Sequence, residues 1–345
     1  MKLALFLALA AAQWQPVPVP SKANFRGLSA VDDNIVWISG TEGAVLRTTD
    51  SGKTWEALKV PKSEDLDFRG IRAFDDKTAV IMSSGPAEKG QARVYRTADA
   101  GQHWSLVLEE KTKGAFFDAI AFWDSKHGIL MGDPVDGLFM VYTTTDGGVT
   151  WQRGGTEKMP PALPGEGAFA ASNSCLAVIS PGYAWFATGG ASIARVFRST
   201  NGGENWMVFN TRIHPTNAST GVFSLVFQGE LHGMAVGGDY AKPDLPFPNP
   251  MIANDGGRAW QSVGTPGRFL SSIAVLPASG RALSAHVAAG PGGVFRLGLG
   301  AQWLQESDLN LNVLTFSSAQ VGWAAGPKGM VARWNAQAAA GVQKP

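Results

Sequence analysis

Thr48-Thr49-Asp50-Ser51-Gly52-Lys53-Thr54-Trp55 carries a pattern that the rest of the chain repeats. It reads as a small polar residue, any residue, Asp or Asn, any residue, Gly, and then Trp three positions later. It returns over 97–104, ending at Trp104, and over 144–151, 199–206 and 253–260. A decayed copy ends at Trp303, and Gln13-Trp14-Gln15-Pro16-Val17 resembles the tail of the pattern alone. In such a turn the Asp50 carboxylate accepts bonds from backbone N–H groups, and the glycine after it supplies a positive φ. The tryptophan then packs on the sheet as a large apolar anchor. Asp50, Asp99, Asp146, Asn201 and Asp255 are therefore read as structural.

Working outward, the tryptophans at 14, 55, 104, 151, 206, 260 and 303 stand 41 to 55 residues apart. A period of that length signals a repeat architecture. Three further strands precede each box. In the first repeat they are Phe25 to Val31, Val36 to Ser39 and Ala44 to Thr48. Short runs rich in Val, Ile, Phe and Trp, bounded by Gly and Asp, read as strands. The last repeat, through Val313 to Phe316, Gly322 to Ala325 and Met330 to Trp334, lacks a fourth strand, and Trp14 is a fourth strand without a repeat. Joining the two leaves no open edge. The expected fold is all-β: a seven-bladed β-propeller of four-stranded antiparallel blades, its ring closed by the N-terminal strand completing the last blade. Its expected span is 13–335, with a tail over 336–345.

The ends and the composition narrow the function. Lys2, the apolar run Leu3 to Ala12 and the small residues Ala10-Ala11-Ala12 form a secretion signal over 1–12, cleaved after Ala12. Ten apolar residues are too few to span a bilayer as a helix, and no later segment is long enough. The protein is expected outside the cytoplasm, periplasmic or extracellular, with no membrane span after cleavage. A net charge of +1 gives no electrostatic case for nucleic acid. The single cysteine, Cys175, excludes an internal disulfide and reads as a buried small hydrophobe. His103, His127, His214, His232 and His286 show no paired metal spacing. No metal and no cofactor is expected.

These repeats resemble the Asp-box (BNR) repeats of sialidases, sortilin-type receptors and xyloglucan-cleaving glucanases. Gly322-Trp323-Ala324-Ala325-Gly326-Pro327-Lys328-Gly329, with the boxes at Thr48 to Trp55 and Thr144 to Trp151, is more similar to bacterial propellers named for the photosystem II stability/assembly factor. The resemblance covers essentially the whole mature chain. It implies a protein-binding scaffold, but the same fold hosts lyases and hydrolases. Some related chains carry an oxidoreductase label. Here there is no dinucleotide fingerprint and no redox cysteine pair to support it.

Candidate site residues follow from propeller geometry. Asp boxes join third to fourth strands on one face, and the longer loops lie on the other, around the channel mouth. Those loops are Ser83 to Gly90, Gly132 to Gly137, Met159 to Gly167 and Gly237 to Pro250. Long loops gathered on one face of a rigid scaffold are a usual place for binding. Arg26, Arg69, Asp118, Asp133, Asp136, Glu166, Asp239 and Tyr240 are the candidates to line the mouth. A pair such as Glu166 with Asp133 or Asp239 could serve glycoside hydrolysis. A sialidase site is disfavoured, because Arg26 and Arg69 are followed by glycine and not by Ile-Pro. The expected function is a non-catalytic, exported, monomeric scaffold docking a protein partner, or else an extracellular glycan or peptide, through the loop-rich face. The alternative is a secreted glycoside hydrolase of the sialidase or xyloglucanase propeller type.

Overall fold

The structure, a computed structural model, describes residues 14–336 apart from 155–157, 248–249, 265, 280–283 and 299–300. The expected signal peptide over 1–12 lies outside the described residues, as does the tail beyond Ala336. Among the described residues the strands form seven four-stranded antiparallel sheets. Blade one is Phe25–Ala30, Val36–Gly40, Val45–Thr48 and Glu56–Leu58, and blades two to six repeat that order. Blade seven is Val313–Phe316, Val321–Ala325 and Val331–Asn335, completed by Trp14–Pro16. Trp14 pairs with Trp334 and Pro16 with Ala332, which closes the ring as expected.

Each strand reads according to its place in the blade. The second strands, Val36–Gly40, Ala79–Ser83 and Val321–Ala325, are buried at every residue because each is covered on both faces by neighbouring blades. That is why they are continuous apolar runs. The innermost strand Phe25–Ala30 alternates buried and half-buried, since one of its faces looks into the channel. The outer strands are short and largely exposed, as at Glu56–Leu58, which blunts the edge. The core lies between blades: Phe25, Val36 and Ile38 of blade one pack with Val321, Trp323 and Val331 of blade seven in one cluster.

The boxes build the turns their sequence specifies. Asp50 Oδ1 accepts from Thr54 N at 2.9 Å and Oδ2 from Thr54 Oγ1 at 2.6 Å, while Thr48 Oγ1 accepts from Gly52 N at 3.0 Å. The same bonds recur at Asp146 with Thr150. In the second box His103 stands where the first and third have Thr54 and Thr150. Its N donates to Asp99 Oδ1 at 2.9 Å, and its Nδ1 sits 2.6 Å from Oδ2. Gly52 has φ +81°, and a Cβ there would lie 2.4 Å from Trp323. Trp55 stands edge-on to Trp323 at 5.8 Å, and Trp104 to Trp37 at 6.4 Å, so the box tryptophans tie blades seven, one and two together. The recurrent third-strand arginines pack too: Arg47 lies over Trp37 at 5.4 Å and Arg333 over Trp323 at 5.6 Å.

One loop reading is corrected. Gly132 to Gly137 is not a loop, because the second strand runs on as Gly128–Val135 into Leu138–Thr144. Only Asp136 (φ +54°) and Gly137 (φ +81°) turn the chain. Asp-Gly with two positive φ values is a preferred two-residue hairpin turn, and strand pairing takes over the rest. Met159 to Gly167 is a loop as expected, anchored at its start by Met159 in the core of blades three and four.

Candidate functional site

The channel mouth is built by a repeated irregularity. The first pair of strands shifts register between Phe25 and Gly27, between Phe68 and Gly70, between Phe117 and Ala119, and between Val222 and Ser224. The extra residue at each β-bulge is Arg26, Arg69, Asp118 or Phe223. A bulge re-aims the side chain that the pleat would otherwise alternate. All four residues line one cavity of about 560 Å³ on the loop-rich face, with Asp133, Ser271 and Asn312 among the others. Asp133 is itself the extra residue of a second bulge, between Gly132 and Pro134. Blade three thus turns two carboxyls toward the same space.

Blade four supplies a floor. Its first strand begins only at Leu176, and the preceding segment crosses the channel. Ala168 N donates to Asp133 Oδ1 at 2.9 Å. Arg26 Nη1 donates to Ala171 O at 3.1 Å and Arg69 Nη1 to Ala170 O at 3.4 Å. Ser172 Oγ reaches Ser271 O at 2.6 Å, and the Asn173 amide brackets Ile120, accepting from its N at 2.8 Å and donating to its O at 3.0 Å. Phe169 stacks on Phe223 at 3.8 Å, and Phe223 meets Phe269 edge-on at 4.8 Å. Phe169 can sit there because Gly189 and Gly221 leave room: a Cβ on either would come within 2.7 Å of its ring. Tyr240, more than half exposed, stands over this aromatic wall 6.0 Å from Phe223.

The electrostatics of the cavity are uneven. Arg69 is held by Asp67, Nε to Oδ2 at 2.6 Å. Arg26 has a backbone acceptor, and burial, with the neighbouring Arg69 charge, lowers its pKa. Asp118 is buried, and neither carboxyl oxygen has a hydrogen-bond partner. Burial first, then the Asp133 charge, pushes its carboxyl well above the ordinary carboxylate range, against the pull of Arg69. Burial likewise raises Asp133 to about 6 despite its bond from Ala168 N.

Five of the eight candidates therefore meet in one cavity: Arg26, Arg69, Asp118, Asp133 and Tyr240. Three do not. Glu166 is buried in an ion pair with Arg195, whose Nε donates to Oε1 at 2.8 Å and whose Nη2 binds Oε2; Thr188 Oγ1 adds a bond at 2.6 Å. Arg195 comes from the third strand of blade four, a partner that only folding brings close. Asp239 accepts from Ser219 Oγ at 2.6 Å, Asn217 Nδ2 at 3.0 Å and Ala241 N at 2.9 Å, tying its loop to the link that enters blade five. Asp136 is exposed at its hairpin tip. The carboxylate pairs of Glu166 with Asp133 or Asp239 are thus not available as paired groups. Phe223, Phe269 and the 168–174 crossing were missed. The signal was there for Phe223, since Gly221-Val222-Phe223-Ser224 repeats the strand start that carries Arg26 and Arg69.

A family profile described as photosynthesis system II assembly factor YCF48 matches residues 7–115. One for the BNR/Asp-box repeat matches residues 142–153. The chain is an Asp-box β-propeller resembling the photosystem II assembly factors. Among curated proteins it is similar to the chloroplastic photosystem II stability/assembly factor HCF136 of Cyanidioschyzon merolae, 38% identical over 63 residues. That match spans 17% of this chain and 14% of the relative's length. Over the whole ring, the structure of YCF48 bound to D1 peptide superposes with a TM-score of 0.67 at 18% identity, covering 96% of this chain and 97% of that one. YCF48 from Cyanidioschyzon merolae gives 0.66 at 18% identity, covering 94% and 99%. A streptogramin B lyase gives 0.63 at 14%, covering 94% and 97%. At these identities the structural likeness is one of fold. Among the described residues no helix is long and apolar enough to cross a membrane, and no cluster of three or more His, Cys, Asp or Glu could hold a metal ion.

Proposed function

We propose that this protein is an exported, non-catalytic scaffold that docks a protein partner on its loop-rich face, with an extended peptide segment of the partner entering the cavity. The observation that carries the reading is the ring of bulges. It turns two arginines from adjacent blades and an aromatic wall into one open cavity, on a frame held rigid by its boxes. Arg26 and Arg69 supply donors for an acidic group or backbone carbonyls, and Phe223, Phe269 and Tyr240 supply area for an apolar side chain. The solved YCF48 with a D1 peptide supports a peptide as the class of partner, and the leader-like N-terminus supports a site of action outside the cytoplasm. A photosystem partner requires a photosynthetic host.

A glycosidase needs two carboxyl groups that reach the substrate. The Asp118 oxygens are shielded from solvent, and Glu166 and Asp239 are committed elsewhere, so docking is favoured over hydrolysis. The test is affinity capture from the native envelope fraction with wild type and with an Arg26→Ala, Arg69→Ala double variant shown to be folded. A specific protein recovered by wild type and lost by the variant is the expected result. Equal recovery by both, or turnover of glycans by wild type, overturns it.

A further inference from the structure

The carboxyl groups of the cavity are the part that docking alone leaves unexplained. A buried acid without any partner calls for a reason of its own. Asp118 and Asp133 stand on bulges of paired strands in one blade, and both line the cavity. The charged and titratable groups facing Asp118 are Asp133 from its own blade, Arg69 from blade two, and the Cys175 thiol beside the first strand of blade four, which both acids push up after burial. Arg69 is in turn flanked by Asp67 and Arg26. No other cation faces the pair among the described residues. The two acids are also unequally placed. The Asp118 oxygens are out of solvent's reach, while Asp133 is half-buried and Arg26 keeps donors open to the cavity. The surface that a ligand meets is therefore guanidinium and aromatic ring, with the acids behind it.

We infer that the cavity is a proton-linked carboxylate site: an organic carboxylate seats between Arg26 and Arg69 with its apolar body on Phe223 and Phe269, and the Asp118–Asp133 pair takes up one proton as it binds. The inference rests on the docking reading only for the location of the site. The physics is charge balance. An anion beside the arginines raises the cost of a second negative charge on the acid pair, so anion and proton stabilise one another. Burial pushes Asp118, whose oxygens are out of solvent's reach, well above the ordinary carboxylate range and brings the more open Asp133 to about 6, so Asp133 is the member placed to exchange a proton on binding.

Calorimetric titration of the full chain with phenylacetate, and separately with the peptide acid N-acetyl-aspartyl-phenylalanine amide, tests this. The two probes distinguish a free acid from a polypeptide carboxylate, and the tighter one names the source. Runs in buffers of different ionisation enthalpy count protons directly and need no variant. Expected are an uptake approaching one proton and an affinity rising about tenfold per pH unit from about pH 8 toward 6. Asp133→Asn is expected to abolish the slope and bind at about pH 7.5 at least as tightly as wild type does near pH 6, and Arg26→Ala to bind neither probe. No proton uptake, or an unchanged slope in Asp133→Asn, overturns the inference. Partner capture retained by wild type with no proton uptake would sink this inference and leave docking standing. Proton uptake without any captured protein would do the reverse.

Discussion

The box turns and the cavity treat the same side chain in opposite ways. On the box face, Asp50 and Asp146 each accept side-chain and backbone bonds from the threonine four residues on, and Asp99 backbone and side-chain bonds from His103; these bonds bring each carboxyl down to about 2. On the loop-rich face, Asp118 is buried and Asp133 half-buried, with almost no donors, and both are pushed up. The box face repeats one solution from blade to blade. The other face repeats the bulge but changes the residue on it, from arginine to aspartate to phenylalanine. Repetition marks what holds the ring, and variation on a repeated backbone marks what the ring presents.

The comparison can be broken most severely at Glu166. Although it lies on the loop-rich face, it is an internal strut. Glu166→Ala leaves Arg195 buried without its partner and is expected to cost about 3–5 kcal/mol in urea unfolding. A loss near zero would return Glu166 to the list of ligand-facing residues. Next is the opposite pH response of the two faces. Asp133 has a folded pKa above its ordinary 3.8, so wild-type stability falls as pH rises from about 4 through about 6; the shift corresponds to on the order of 3 kcal/mol. Asp133→Asn should therefore be more stable than wild type at about pH 8 and gain little near pH 4. The box carboxylates lie below 3.8, so their contribution is present above about pH 4 and is lost as pH falls through about 2. Unfolding series for wild type and Asp146→Asn over that acid range should converge as pH drops. A smaller effect is expected at Gly52→Ala, where positive φ and the Trp323 ring oppose a Cβ. About 1–3 kcal/mol should be lost with no change in ligand affinity. The smallest change in stability, within about 0.5 kcal/mol, belongs to Tyr240→Ala, since the ring is exposed. Its readout is instead a weakened partner affinity with an unchanged melting temperature.

Much of this was legible in the chain. The boxes, their tryptophans and the incomplete last repeat set the blade number and the closure, because each is a local sequence pattern, and the box bonds stay within a few residues of one another. Arg26 and Arg69 were legible as equivalent positions for the same reason, each following a phenylalanine and preceding a glycine. Glu166, Asp239 and Asp136 were misplaced at the mouth because loop membership says which face a residue is on and nothing about where its side chain finds a partner. Arg195 lies 29 residues from Glu166, and Asn217 lies 22 from Asp239.

What the sequence determined by itself is the repeat: strand order, turn chemistry, seven blades and a ring that closes on its first strand. These are consequences of short-range geometry applied again and again. What only the tertiary structure decided is the interior of the mouth. The crossing of residues 168–174, the convergence of bulges from four blades, and the pairing of Asp118 with Asp133 depend on contacts between residues far apart in the chain, such as Arg26 and Ala171, 145 positions from one another. Burial and charge at such a meeting point are properties of the assembled ring, because the dielectric around a carboxyl is set by whatever the fold packs against it.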